Sequence, residues 1–136
     1  MTQKEKQLLL KDLCTRLSYG VKAKSQTSHL EINTIDGYFV DGDGRKMFHL
    51  SEPDFWQTVD HFQYYLRPMS SMTEEEIKEF QAFHCVDGLH PYFYQEMCNL
   101  QNLENMMDWL NVHHFDYRGL IEKGLVLEAP EDMYML

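Results

Sequence analysis

Hydrophobic residues near the start of the chain recur every three or four positions. The apolar positions are Leu8, Leu9, Leu10, Leu13, Cys14 and Leu17. Thr2 and Glu5 have the spacing of a capping box, in which each side chain satisfies a backbone N–H at the start of a helix. The pattern predicts an amphipathic helix over residues 3–17 that ends at Tyr19-Gly20.

Between residues 20 and 50 the hydrophobic residues instead form short runs, some of which alternate with polar residues. These runs are Val21 and Ala23, Leu30 and Ile32, Tyr38 to Val40, and Met47, Phe48 and Leu50. Turn sequences separate them at Asp36-Gly37 and at residues 41–44. This region predicts an antiparallel meander of three or four strands.

Residues 52–66 return to a helical spacing. The apolar positions are Phe55, Trp56, Val59, Phe62 and Leu66. Ser51 is a candidate N-cap and Pro53 falls in the first turn, where proline is tolerated. The pattern predicts a helix of about three turns, followed by a connector at residues 67–72.

The remainder of the chain is predicted to be mainly helical. Thr73 and Glu76 form a second capping-box pattern, and residues 92–112 carry apolar side chains at helical spacing. A short helix is expected at residues 117–123, closed by Gly124 and followed by a strand or extended arm at residues 125–127. The predicted fold is α+β: an N-terminal helix, a small antiparallel β-meander and a helical C-terminal half.

The chain of 136 residues is short enough for a single domain, 1–136, with two potential lobes at 1–66 and 73–136. Hydrophobic residues make up 43%, enough to form a core, yet no apolar run approaches the roughly 20 residues of a membrane helix. The N-terminus also lacks the pattern of a signal peptide. We therefore expect a cytoplasmic protein that does not contact the membrane.

The charge is −10 and unevenly distributed, since residues 1–24 carry +4 and the remainder carries −14. A nucleic-acid backbone binder needs clustered positive charge, so most of the chain disfavours nucleic acid. The N-terminal helix alone has the charge for a DNA-associated regulator, which is one alternative function. Acidity favours solubility or a basic protein partner.

Three segments have distinctive sequences: KDLCTRLSYGVK at 11–22, YLRPMSSMTEEE at 65–76 and WLNVHHFDYRGLIEKGLVLEAPEDMY at 109–134. Together they resemble a set of small proteins encoded in prophages and mobile elements of gut bacteria, for which no activity is established. The resemblance implies a phage or mobile-element origin and a cytoplasmic setting. It assigns no catalytic residue.

The densest polar cluster lies at the junction before the last predicted helix. It consists of His113, His114, Asp116, Tyr117 and Arg118. Exposed N–H groups at such a junction bind anions, with arginine as a bidentate donor and histidine as a titratable one, so this is the candidate ligand-binding site. The competing interpretation is structural: Asp116 caps the last helix and Arg118 pairs with a nearby carboxylate.

Other combinations of reactive residues do not match a known site pattern. His84, Cys85, Asp87 and His90 are zinc-ligand types without the spacing of a finger or ribbon, and Asp41, Asp43 and Glu52 fit a calcium loop that Arg45 and Lys46 disrupt. Residues 41–44 are better explained as a hairpin turn. We predict no metal, no cofactor and no catalytic residue. Cys14, Cys85 and Cys98 are expected to be reduced and buried.

Aromatic residues exceed what one helical stripe can bury. They are Phe55, Trp56, Phe62, Tyr64, Tyr65, Tyr92, Phe93 and Tyr94. Such residues favour protein interfaces, although a core accounts for many of them. The leading hypothesis is a non-enzymatic protein that occupies a host protein, self-associates or sequesters an anionic small molecule. The alternative from another class is a small metal-dependent or Cys/His hydrolase using His84, His90 and the 113–116 cluster.

Overall fold

The structure is a computed structural model that describes residues 1–26, 32–51, 55–83 and 101–134, and its fold is α+β. Its helices are α1 (Gln3–Arg16), α2 (Glu74–Gln81) and α3 (Gln101–Val112). Its strands are β1 (Lys22–Ser25), β2 (Asn33–Val40), β3 (Lys46–Leu50), β4 (Phe55–Gln57), β5 (Phe62–Pro68), β6 (Phe115–Asp116) and β7 (Leu127–Glu128).

Helix α1 forms where its apolar spacing and capping box predict it. The Thr2 hydroxyl accepts a hydrogen bond from the Glu5 N–H at 3.1 Å, and the Glu5 carboxylate accepts one from the Thr2 N–H at 2.9 Å. A 3₁₀ turn follows α1 and ends at Gly20, whose φ of 71° is costly for residues with a Cβ. The predicted helix over residues 3–17 is therefore confirmed to within one residue.

The described strands form one mixed sheet in the order β4-β3-β2-β1-β5-β6, with β7 also paired to β5. Strands β1 to β3, in the region of the predicted meander, pair antiparallel in chain order, although the turn predicted at Asp36-Gly37 is wrong because these residues lie inside β2. Strands β4 and β5 extend this antiparallel arrangement at β3 and β1, whereas β6 and β7 run parallel to β5. The sheet therefore extends beyond the predicted region, because the C-terminal half contributes β6 and β7.

The helix predicted over residues 52–66 is wrong. Its described part forms β4, a 3₁₀ turn and β5. Along β5, Phe62, Tyr64 and Leu66 are buried while Gln63 is exposed. This alternation is typical of a strand, but the apolar residues of the segment also fit the spacing of a helix. Pairing with β1 on one side and with β6 and β7 on the other satisfies the backbone of this strand.

The short helix predicted at residues 117–123 is also wrong, since this segment forms turns. A positive φ of 72° at Gly119 interrupts a helical path, and Gly124, the predicted closing residue, has the same φ. The strand or extended arm predicted at residues 125–127 overlaps β7 at Leu127. Helix α2 follows its capping box as predicted, and α3 matches the described part of the predicted helix at 92–112, of which residues 92–100 lie outside the described residues.

The hydrophobic core lies between α1 and one face of the sheet. Helix α1 contributes Leu9 and Leu13, and the segment after β6 contributes Leu120, Leu125 and Val126. The sheet supplies Ala23, Ile35, Phe48, Leu50, Phe62, Tyr64 and Leu66. Burying one large apolar side chain, such as leucine, isoleucine or phenylalanine, stabilises the fold by about 1.5–3 kcal/mol. We call the sheet face that packs on α1 the inner face and the opposite one the outer face.

Candidate functional site

The predicted ligand-binding residues lie between the end of α3 and the turns after β6. Helix α3 ends with the His113 and His114 N–H groups donating to the carbonyls of Trp109 and Asn111. His114 has a φ of 63°, which turns the chain into β6. The His114 carbonyl then accepts the Arg67 N–H at 2.8 Å, which aligns β6 with β5. The junction brings all five predicted residues into one region.

Asp116 binds the backbone of its own turn. Its two carboxylate oxygens accept the N–H groups of Leu120 and Ile121, each at 2.9 Å, and the residue is 7% exposed. This is the capping role that the structural interpretation assigned to it, although the segment it caps is a turn rather than a helix. The N–H groups that the ligand hypothesis required are thus partly occupied by the protein.

Arg118 donates from Nε to Asp12 on α1 at 2.9 Å. Asp12 and Arg16 are fully buried and form a two-point ion pair, at 2.8 Å and 3.1 Å. The Tyr64 hydroxyl donates to the same carboxylate at 2.7 Å. We call Asp12, Arg16, Tyr64 and Arg118 the buried ionic cluster. Burial first, and then the Asp12 charge, raises the pKa of Tyr64 well above its usual range.

Tyr117 covers this cluster with its ring. The guanidinium carbon of Arg16 lies 4.7 Å from the ring centroid and that of Arg118 lies 5.1 Å from it. The Tyr117 hydroxyl donates to the Asn111 side chain at 2.8 Å. Nη2 of Arg16 also donates to the Phe115 carbonyl at 2.8 Å, while its buried Nη1 has no hydrogen-bond partner in the part of the chain that the structure describes.

His114 lies beside the cluster and is 7% exposed. Its ring stacks on Tyr134 with centroids 3.7 Å apart, and its Nδ1 has no hydrogen-bond partner among the described residues. Burial, and then the nearby Arg16 and Arg67 charges, lower the pKa of His114 to about 4. At neutral pH His114 is therefore an uncharged ring held in the structure.

His113 faces a different group of side chains. Its Nδ1 lies 3.3 Å from the Glu76 carboxylate, and its ring packs on Trp109. Arg67 holds Glu76 by two hydrogen bonds of 2.8 Å and 2.7 Å, which together with the Thr73 backbone lower the pKa of Glu76 to about 2. This contact joins the start of α2 to β5.

Protein groups therefore occupy most of the polar atoms of the predicted cluster. The arrangement can orient β6 and anchor α1, and within the described ranges Nη1 of Arg16 and Nδ1 of His114 are buried without a hydrogen-bond partner. Anion binding at residues 113–118 stays a prediction. Sequence reasoning missed Asp12 and Arg16, although their (i, i+4) spacing on a predicted helix is the signal of an ion pair.

A second candidate site lies on the outer face of the sheet. The Trp56 ring contacts Phe39 edge-on with centroids 4.7 Å apart and packs on His49 at 4.9 Å. We call Phe39, His49 and Trp56 the aromatic face. Nδ1 of His49 also lies in hydrogen-bond contact with the Asp36 carboxylate. Gly37 lies under the Trp56 ring, since a Cβ there would approach the ring to 3.2 Å.

A β-bulge produces the aromatic face. Ile35 pairs with Leu50, yet the next pair is Gly37 with His49, so Asp36 is the extra residue. Residues after the bulge exchange faces, which turns Phe39 outward although Ile35 points inward. Of the aromatic residues singled out in the sequence, Phe62 and Tyr64 belong to the core and Trp56 is exposed. Residues 92–94 and the side chain of Phe55 lie outside the described residues.

The turn at residues 41–44 is a hairpin turn, as predicted. The Asp41 carboxylate accepts the N–H groups of Asp43 and Arg45, each at 2.9 Å, and pairs with the Arg45 side chain at 2.8 Å. These bonds lower the pKa of Asp41. Glu52, the third acidic residue of the calcium-loop comparison, lies outside the described residues.

Several reactive residues named in the sequence are not described. His84, Cys85, Asp87, His90 and Cys98 all lie outside the described residues, so the hydrolase alternative stays a prediction. Cys14 is a free thiol, as predicted, but it is exposed rather than buried. It lies on the surface side of α1, where partial burial raises the pKa of the thiol and Lys46 opposes that effect.

The chain matches no protein-family model, no curated protein and no solved structure. Within the part of the chain that the structure describes, no helix combines the length and apolar character needed to cross a membrane. Function must therefore be argued from the surfaces of this molecule.

Proposed function

We propose that the protein is a non-enzymatic binding protein of phage or mobile-element origin that occupies a basic surface of a host protein through its aromatic face. The mechanism is stoichiometric, so one copy blocks one partner surface. The origin rests on the resemblance of residues 11–22, 65–76 and 109–134 to prophage-encoded proteins. The binding surface rests on the geometry of the sheet.

The observation that carries the proposal is the exposure of two large aromatic rings that contact each other. Phe39 is 42% exposed and Trp56 is 43% exposed. Adjacent exposed apolar residues are typical of interaction sites, and tryptophan is enriched among the residues that dominate binding energy.

The aromatic face is also rigid before binding. Trp56 is held between Phe39 and His49 above Gly37, and the contact with the Asp36 carboxylate orients His49. A ring that is already fixed loses little conformational entropy when a partner covers it. The partner therefore gains apolar contact area at low entropic cost.

Charge favours a basic partner surface. The chain carries 22 acidic and 12 basic residues, so its field attracts positive proteins and repels acidic ones. Asp36 lies at the edge of the aromatic face with its side chain 49% exposed. Apolar contacts at the centre and charged contacts at the edge are the usual anatomy of a protein interface.

The test begins with a photo-crosslinking amino acid at Met47, which pairs with Phe39 on the outer side of the hairpin, in protein expressed in a gut-bacterial host. The crosslinked host protein is then purified and titrated against unlabelled variants by calorimetry. We expect Trp56→Ala to weaken binding by roughly 30-fold, since truncating a central aromatic costs about 2 kcal/mol or more. Phe39→Ala should act in the same direction.

The matched control is Val112→Ala on α3, which truncates another apolar residue that is 50% exposed. It should change the affinity less than about twofold, because an isolated exposed residue outside an interface contributes little. Equal affinity of Trp56→Ala and wild type contradicts the proposal. If the crosslinked protein is instead a second copy of the chain, and Trp56→Ala dissociates that dimer, the partner is this protein itself. That result contradicts binding of a host protein and assigns the aromatic face to self-association.

A further inference from the structure

A groove on the α1 side of the molecule has a different chemistry from the aromatic face. It lies between α1, the turn that joins β2 to β3, and the 3₁₀ turn before β5, and it encloses about 440 Å³. Its polar lining includes Lys6, Arg45, Lys46, Thr58, Asp60 and His61. We call this the basic groove. Its volume falls within the range of small-molecule sites, about 300–1,000 Å³.

The groove brings several cationic side chains together in an acidic protein. The chain has a net charge of −10, yet Lys6, Arg45, Lys46 and His61 line this groove; Asp60 pairs with Lys6, and Asp41 and Asp43 pair with Arg45. They come from three separate elements: Lys6 from α1, Arg45 and Lys46 from the β2–β3 hairpin, and His61 from the 3₁₀ turn. Tertiary structure alone brings them together.

The cations differ in how far the protein already neutralises them. Lys6 pairs with Asp60 at 2.7 Å, with both side chains partly exposed. Arg45 pairs through Nε with Asp41 at 2.8 Å and reaches Asp43 at 3.5 Å. Lys46 is exposed and makes no ion pair with any described residue, so its ammonium is available to a ligand.

We infer that the basic groove binds a phosphate-bearing small molecule. A phosphate group carries about two negative charges and three strong acceptor oxygens, so it can accept from the Lys46 ammonium and from donors of the lining Arg45 and Lys6 that their carboxylate partners leave unused. The carbon stems of Lys6 and Leu10 and the side chain of Val59 offer apolar contact to the rest of such a ligand.

This site is independent of the proposed protein interface. Successive residues of a strand point to opposite faces, so Lys46 faces α1 whereas its neighbour Met47 pairs with Phe39 on the outer side. The basic groove and the aromatic face therefore lie on opposite sides of one hairpin. Failure of one proposal leaves the other unaffected.

The test is a calorimetric titration of the full chain with inorganic pyrophosphate in low salt, with Lys46→Glu as the variant. We expect saturable binding by wild type and a loss of affinity of about tenfold or more in the variant, because a charge-assisted hydrogen bond is replaced by repulsion. Binding should also weaken as salt is raised, since the groove is open to solvent.

Lys78→Glu is the matched control, because it changes the net charge equally at an exposed position on α2. It should alter the affinity less than about twofold, since separated exposed charges are screened. Wild type that does not bind pyrophosphate overturns the inference, and so does an equal loss in both variants. Thermal unfolding of both variants establishes that they are folded. Binding of an oligonucleotide but not of pyrophosphate also overturns the inference of a small-molecule site.

Discussion

Asp12 is a fully buried carboxylate whose oxygens accept hydrogen bonds from three side chains, those of Arg16, Tyr64 and Arg118. A buried charge is costly unless it is paired and hydrogen-bonded, and this carboxylate meets both conditions. It joins α1 to β5 and to the turn after β6. Removing its charge therefore leaves two arginines without their counterion, one of them fully buried.

We expect Asp12→Asn to lower the free energy of unfolding by about 3–5 kcal/mol, the usual cost of removing one partner of a buried ion pair. Arg45→Gln is the control, since it breaks another (i, i+4) ion pair whose arginine side chain is 64% exposed. That change should cost less than about 1 kcal/mol. Urea denaturation measures both, and similar values for the two variants would contradict the role given to the cluster.

At the scale of elements, the strongest local signals belong to the helix starts. Thr73 and Glu76 close a capping box at the start of α2, in which the Thr73 hydroxyl accepts the Glu76 N–H at 3.2 Å and the Glu76 carboxylate accepts the Thr73 N–H at 2.9 Å. Arg67 then ties the same carboxylate to β5. Helix α2 buries none of its side chains fully, so these polar contacts are important for its stability.

We expect Thr73→Ala to destabilise α2 by about 1 kcal/mol, because the N–H of Glu76 loses its acceptor. Hydrogen exchange of the amides at residues 74–81 should become about fivefold faster, the factor that corresponds to this energy. Thr73→Ser retains the hydroxyl and should exchange like wild type. Unchanged exchange in Thr73→Ala would show that the Arg67–Glu76 contact alone fixes the helix start.

At the scale of the whole molecule, the C-terminal segment is attached across the sheet. The Tyr134 hydroxyl accepts the Lys22 N–H and donates to the Tyr65 carbonyl, each at 2.8 Å, and its ring stacks on His114. These contacts connect β1, β5 and the end of α3. Burial raises the pKa of Tyr134, so its hydroxyl remains protonated.

Protonation of His114, on which Tyr134 stacks, makes the stability of the fold dependent on pH. Its pKa falls from 6.5 to about 4 in the folded state, so the unfolded chain takes up the proton more readily between these values. The contribution of His114 to the free energy of unfolding is thus fully present above pH 6.5 and is lost as the pH falls toward 4. From pH 7 to pH 5 we expect a loss of about 2 kcal/mol from this group.

The comparison is with His114→Asn, since asparagine tolerates the positive φ of this position and does not titrate. Urea denaturation at pH 7 and pH 5 should show a smaller decrease for the variant than for wild type, even if the variant is less stable overall at pH 7. His61→Asn, at an exposed position, should retain the decrease of wild type. A decrease of equal size in His114→Asn would contradict the assignment.

The sequence by itself determined the features that depend on neighbouring residues. The capping boxes at Thr2 and Thr73, the apolar stripe of α1 and the turn at residues 41–44 all follow from contacts within about four positions. The α+β class follows from the sum of such patterns. These interactions involve only neighbouring residues, which is why they could be predicted.

Tertiary structure alone decided the features that depend on distant partners. Residues 55–68 carry apolar side chains compatible with a period of either 3.6 or two, and pairing with β1, β6 and β7 selected the strand. Arg118 meets Asp12 across 106 positions, so its partner could not be identified from local spacing. The bulge at Asp36 likewise determined that Phe39 is exposed, because a shift of one residue exchanges the two faces of a strand.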